Sequence, residues 1–151
     1  MGEKMETLNK SVTVFDAENL ILGRMASQIA KRLLGGQEIA IVNAEKAVIS
    51  GRRGSKVSEA KEFLEVGGVG RGPFHYRRPD RIVKKTVKGM LPSKQPKGEQ
   101  AYKRLRVFIG VPEDMKNRKM ETVADAHAQK LKCSYFTVGE FSKAIGWNQG
   151  E

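Results

Sequence analysis

The residues of this chain best suited to chemistry sit close together. His75 lies between Phe74 and Tyr76, and Arg77 and Arg78 follow directly. Planar rings beside guanidinium groups suit unstacked nucleobases and the phosphates that accompany them. His75 could instead act as a general base, since neighbouring cations disfavour its protonated form. Stacking or hydrogen bonding against RNA is the favoured reading, because no poised acid or nucleophile completes an active site around it. The surrounding residues 71–106 carry twelve basic side chains: Arg71, Arg77, Arg78, Arg81, Lys84, Lys85, Lys88, Lys94, Lys97, Lys103, Arg104 and Arg106. Only Asp80 and Glu99 oppose them, a net of +10 in a chain whose total is +11. A surface built only for solubility would mix both signs. Charge gathered into about a quarter of the sequence is the footprint of a polyanion site.

Other chemistries fail on their details. The glycines at 67, 68, 70 and 72 suggest a phosphate loop, but there is no G-x-x-x-x-G-K-[ST]. Nor does a G-x-G-x-x-G open a helix straight after a strand. Gly35-Gly36-Gln37 stands where a helix should end, so its glycines are read as a cap. Glu59, Glu62 and Glu65 read as a solvated helix face, and His127 and Cys133 have no evident partners. One cysteine and two distant histidines make no zinc site of familiar spacing, so neither a metal nor any other cofactor is expected. A lone cysteine also excludes an internal disulfide and suits a reducing compartment. No apolar run approaches the roughly 20 residues of a spanning helix, and the first residues lack the apolar core of a signal peptide. The expected location is cytoplasmic, with neither a membrane nor a small-molecule substrate as partner.

The elements that must position these residues follow from periodicity. Residues 1–10 read as a flexible lead-in and 11–147 as one α/β domain, with a basic arm and helix at 67–106. Val12, Thr13, Val14 and Phe15 alternate as a strand. Leu22, Met25, Ala26, Ile29, Ala30 and Leu33 then fall at helical spacing before the Gly35-Gly36 stop. Ile39 to Val42 form an apolar run suited to a strand buried on both faces, completing a βαβ unit. Asn43, Ala44, Glu45 and Lys46 sit at its carboxyl end, where open α/β sheets place function. After a second apolar patch (Ala47, Val48, Ile49), Arg52 and Arg53 make a basic turn. Ser55 is the expected N-cap of a helix with Val57, Ala60 and Leu64 inward. Residues 67–78 read as an irregular arm with no core of its own.

Pro79 and Asp80 open the basic helix. Ile82, Val83, Thr86, Val87 and Met90 make its dry side, and Arg81, Lys84, Lys85 and Lys88 its basic side, until Pro92 ends it. A basic loop follows, then at most a helical turn at 99–104. Residues 105–110 read as the last central strand, and 111–119 as a loop. Thr122 and Asp125 suggest a capping box for an Ala-rich segment through Leu131. Residues 135–138 are strand-like, and Thr137 with Glu140 caps a closing helix with Phe141, Ala144 and Ile145 inward.

Five blocks in this order, LGRMASQIAKRL, IVNAEKAVISG, GPFHYRRP, RIVKKTVKGMLP and RLRVFIG, resemble the universal large-subunit ribosomal protein L-thirteen family. The lack of a long insertion before IVNAEK and the ending YFTVGEFSKAIG resemble its archaeal branch. The resemblance spans residues 12–147. It implies a three-layer α/β/α domain with a mainly parallel, four-stranded sheet. It also implies a non-enzymatic role in the ribosome, binding large-subunit rRNA during assembly beside other ribosomal proteins. The expected RNA-contacting residues are Arg24, Lys46, Arg52 and Arg53 from the body. The basic segment adds Arg71, His75, Tyr76, Arg77, Arg78, Arg81, Lys84, Lys85, Lys88, Lys94, Lys97, Lys103 and Arg106. Two other functions fit the same residues: a nuclease or nucleotide-modifying enzyme using His75, and a regulator that binds an mRNA.

Overall fold

Two apolar strands joined by one amphipathic helix form the centre. A computed structural model describes residues 12–72 and 74–149; the expected lead-in at 1–10 lies outside the described residues. Strand β1 (Val12–Asp16) and strand β2 (Glu38–Val42) pair in parallel, with Val14 opposite Ala40 and Phe15 opposite Ile41. Val14 and Phe15 are successive and both buried, as are Ile39, Ala40, Ile41 and Val42. Burial on both faces is what the unbroken apolar run requires. Helix α1 (Leu22–Leu34) joins them, and all six residues read as its inner face are buried. Its stop comes from Gly36, at φ 95°, a left-handed backbone that glycine adopts without steric cost.

The four-stranded sheet is parallel throughout, in the order β4-β2-β1-β5. Strand β4 (Leu105–Val107) therefore lies at an edge, not at the centre as its sequence suggested. Its central residue explains the place: Arg106 is exposed, which an interior strand covered on both faces would not tolerate. The other edge, β5 (Met120–Glu121), is two residues long and directly follows the stretch read as a loop. Arg32 of α1 fastens it, pairing with Glu121 at 2.8 Å while its guanidinium lies 4.9 Å from the centre of the Phe15 ring.

A small antiparallel sheet stands apart, formed by β3 (Val48–Ser50) and β6 (Tyr135–Thr137). Between β5 and β6 the Ala-rich segment forms two 3-10 turns, Ala124–Ala126 and Ala128–Lys130, and Thr122 is not their cap. Tertiary hydrogen bonds win over local helix here. The Ala126 carbonyl accepts from Ile21 N–H at 2.6 Å, and Ala128 N–H donates to the Asn19 carbonyl at 2.8 Å.

The remaining helices are α2 (Arg53–Glu65), α3 (Pro79–Gly89), α4 (Pro96–Lys103) and α5 (Val138–Ala144). Helices α3 and α4 pack on α1, and α3 also reaches β4 and the turn Ala44–Lys46, giving a three-layer α/β arrangement. Helix α5 is capped as expected: Thr137 Oγ1 accepts from Glu140 N–H at 3.2 Å. Its buried residues are Val138, Gly139 and Ser142 with the following Ile145, whereas Phe141 and Ala144 are half-buried. Among the described residues, no helix is long and apolar enough to cross a membrane.

Candidate nucleic-acid interface

Helix α3 is the rigid part of the basic segment. Pro79 occupies its first turn, where the missing N–H costs nothing, and the Asp80 carboxylate accepts from Arg81 N–H at 2.9 Å. Val83 and Val87, one turn apart, are fully buried and tie the helix to the core. Ile82 and Thr86 flank them half-buried. Met90, expected on the dry side, is exposed, and Leu91 is buried instead. The helix stops at Gly89, so residues beyond it no longer follow its periodicity.

The basic side fans out in two directions. Lys84 Nζ and Lys88 Nζ lie 4.9 and 5.3 Å from the centre of the Tyr102 ring on α4, so one aromatic face holds two ammonium groups. Arg81 turns toward the arm, 6.0 Å from the Tyr76 ring, and Lys85 borders an apolar cavity beneath it. Arg81, Lys85 and Lys88 are exposed while Lys84 is half-buried. Burial lowers the Lys84 ammonium below its ordinary 10.5, Arg81 adds to the effect, and Asp80 opposes it.

Helix α4 begins at Pro96, earlier than the helical turn read from the sequence, because a proline suits a first turn. It carries Lys97, exposed, and Lys103, exposed and 3.6 Å from Glu99. Lys94 is exposed in the loop before it. Gly98 is buried with its Cα against the Pro92 carbonyl, leaving no room for a side chain. Arg104 serves the fold: its Nη1 donates to the Leu33 carbonyl at 2.9 Å, fastening this segment to the end of α1. Arg106 projects from β4 beside Lys103 and Glu38.

Among the described residues, the arm joins α2 to α3 without helix or strand. Gly67 and Gly70 bend it at φ 124° and 73°. Arg71, Phe74, Tyr76, Arg77 and Arg78 are exposed, and Arg78 Nε lies 3.3 Å from Asp80. His75 is half-buried against Phe63 of α2, with ring centres 5.9 Å apart. Helix α2 departs from expectation. It starts at Arg53, so Ser55 lies inside the first turn, and it has no buried residue at all. Val57, Ala60 and Leu64 are only half-buried because the inner side of α2 borders open cavities, not packed core.

The basic residues expected outside this segment sit on three separate elements. Arg24 is exposed on α1, Lys46 lies 3.6 Å from Glu18 on the turn after β2, and Arg52 and Arg53 are exposed at the start of α2. Sequence reasoning missed Tyr102 as the platform for two lysines, Phe63 as the arm's aromatic neighbour, and the structural use of Arg104. Tyr102 is 14 residues beyond Lys88, so helical spacing could not connect them. Among the described residues, no group of His, Cys, Asp or Glu is arranged to hold a metal ion.

Comparison with known proteins finds relatives along most of the chain. The family described as Ribosomal protein L13 matches residues 10–114. The large ribosomal subunit protein uL13 of Archaeoglobus fulgidus is 46% identical over 145 residues, covering 95% of this chain and 93% of that protein. Its namesake in Methanosarcina barkeri is 50% identical over 137 residues, covering 89% and 98%. That of Methanopyrus kandleri is 44% identical over 138 residues, covering 89% and 87%. All three relatives are archaeal and carry the name of a ribosomal protein, not of an enzyme. On the strength of a match this long, across the strands, the arm and the basic helix alike, the chain belongs to the ribosomal protein L13 family.

Proposed function

We propose that the chain is a structural constituent of the large ribosomal subunit that binds rRNA and supports subunit assembly. The observation that carries this reading is the row of exposed cations on the arm and α3, mounted on the buried pair Val83 and Val87. A cation held on a packed helix meets a phosphate with less ordering entropy to lose than one on a loose tail. Arg71, Arg77, Arg78, Arg81, Lys84, Lys85, Lys88, Lys94, Lys97, Lys103 and Arg106 contact the backbone, and His75 and Tyr76 meet unstacked bases. Arg24, Lys46, Arg52 and Arg53 extend the contact to other sides of the body. Residues 11–147 act as one rRNA-binding unit, next to other large-subunit proteins, within cytoplasmic ribosomes.

The test is ionic. Neutralising six or more phosphates makes affinity for large-subunit rRNA fall about 10³-fold or more between about 50 and 200 mM salt. The chain should also co-sediment with large subunits in stoichiometric amount. An affinity indifferent to salt, or no co-sedimentation, refutes the proposal.

A further inference from the structure

We propose that the space between α2 and the arm is a socket for a single unstacked RNA nucleotide, its base in an apolar slot and its phosphate on arginines. The inference deepens the rRNA-binding reading and rests on it. Helix α2 carries Ala60, Phe63 and Leu64 along one side yet buries none of them. That side faces a slot of about 390 Å³, closed across from it by Tyr76, Ile82 and Phe141. His75, Tyr76 and Leu64 also border a second hollow of about 760 Å³, whose far wall is Arg77, Arg78 and Arg81. Both volumes fall in the range of sites that enclose small organic groups.

The two compartments share Leu64, His75 and Tyr76 but only one holds arginines, and that difference favours one occupant. The slot is nearly all hydrocarbon and ring, with Lys85 at its border. The hollow adds three guanidinium groups to Leu64, Phe74, His75 and Tyr76, and among the described residues lining either one there is no carboxylate. Arg78 already faces Asp80 at 3.3 Å, but an apolar side chain from a neighbouring protein would fill the slot and leave Arg77 and Arg81 without an anion. A nucleotide satisfies both: its ring stacks on aromatic surface, and its phosphate accepts charge-assisted hydrogen bonds from the guanidinium groups. Phe63 and Tyr76 are 55% and 50% exposed, so each keeps about half its surface available for that contact. An occupied socket would also supply the packing that α2 lacks.

Two RNA hairpins of equal length test this, one with a bulged adenosine and one with an abasic residue at the bulge. They carry the same number of phosphates, so only the base distinguishes them. The wild-type chain should bind the adenosine hairpin roughly 5- to 160-fold more tightly, the range of one base–aromatic stack. Phe63→Ala should abolish the difference without lowering affinity for the abasic hairpin, and Phe63→Tyr should restore it. Equal binding of the two hairpins by the wild type overturns the socket while leaving rRNA binding intact. So does a difference that survives in Phe63→Ala. Failure to bind either hairpin or rRNA at low salt overturns both the socket and the function it rests on.

Discussion

Replacing Lys84, Lys85 and Lys88 together by alanine separates the fold of α3 from its proposed work. The structural loss is small. Lys84 and Lys88 each give up a contact with the Tyr102 ring, worth about 0.5–1 kcal/mol for exposed Lys88, while the gain at half-buried Lys84 is partly offset by its burial. Alanine returns some helix propensity, and the anchors Val83 and Val87 are untouched. A net loss of about 1 kcal/mol lowers the melting temperature by about 2–4 °C in a chain of this size. It leaves most of a typical stability of about 5–15 kcal/mol. The binding loss is large and has its own signature. Each phosphate contact contributes about 0.7–0.9 to the slope of log affinity against log salt, so three lost contacts flatten that slope by about 2–3. Over about a fourfold rise in salt, the variant should lose about 20- to 40-fold less affinity than the wild type. Fluorescence anisotropy with large-subunit rRNA fragments at several salt concentrations reads the slope, and circular dichroism melts read the fold. Parallel salt lines for the two proteins would show that these lysines meet no phosphate. A variant without a cooperative melt would show that they are part of the fold.

Gly98→Ala should cost about 3 kcal/mol or more, because the new methyl collides with the Pro92 carbonyl, which is backbone and cannot swing aside; a urea midpoint equal to the wild type's would contradict this. Thr137→Ala removes the acceptor for Glu140 N–H and should cost about 1 kcal/mol in the same assay, with no change in the salt slope for rRNA. Lys84 gives a pH dependence of definite sign. Since burial lowers its folded value below 10.5, the unfolded chain holds the proton more tightly. The cost of keeping Lys84 charged is fully present below the lowered value and fades as pH rises through it toward 10.5. The stability of the wild type relative to Lys84→Met should therefore rise with pH across that window in paired thermal melts, and a falling difference would refute the assignment.

What the sequence made readable was whatever rests on local periodicity. The inner face of α1 came out residue for residue, because 3.6-residue spacing and core burial ask for the same positions. The doubly buried β2 and the proline start of α3 were equally plain. Elements decided by distant partners were not. β5 is only two residues and exists because β1 offers it a free edge and Arg32 holds its glutamate. The Ala-rich segment looked helical by composition, but its backbone pairs with residues 19–21. In α2, the spacing of Val57, Ala60 and Leu64 was read correctly as a single side, yet periodicity says nothing of whether a core waits opposite it. In the basic segment, charge density alone singled out cations that the structure leaves mostly exposed. Their division between the Tyr102 platform and the arm depended on tertiary packing that sequence spacing does not encode.

Arg81, Lys84, Lys85 and Lys88 are spaced three and four apart along α3, so each repels its neighbours on the same helix surface. Without a polyanion the protein holds that strain like a compressed spring, and small ions relieve it only in part, because these charges lie closer together than a Debye length, about 8–10 Å at physiological strength. Added electrolyte should then pull in opposite senses, tightening the solitary protein while loosening the proposed contact with rRNA. If the proposed rRNA contact holds, a newly made copy would gain by seating early, since attachment would let the spring relax.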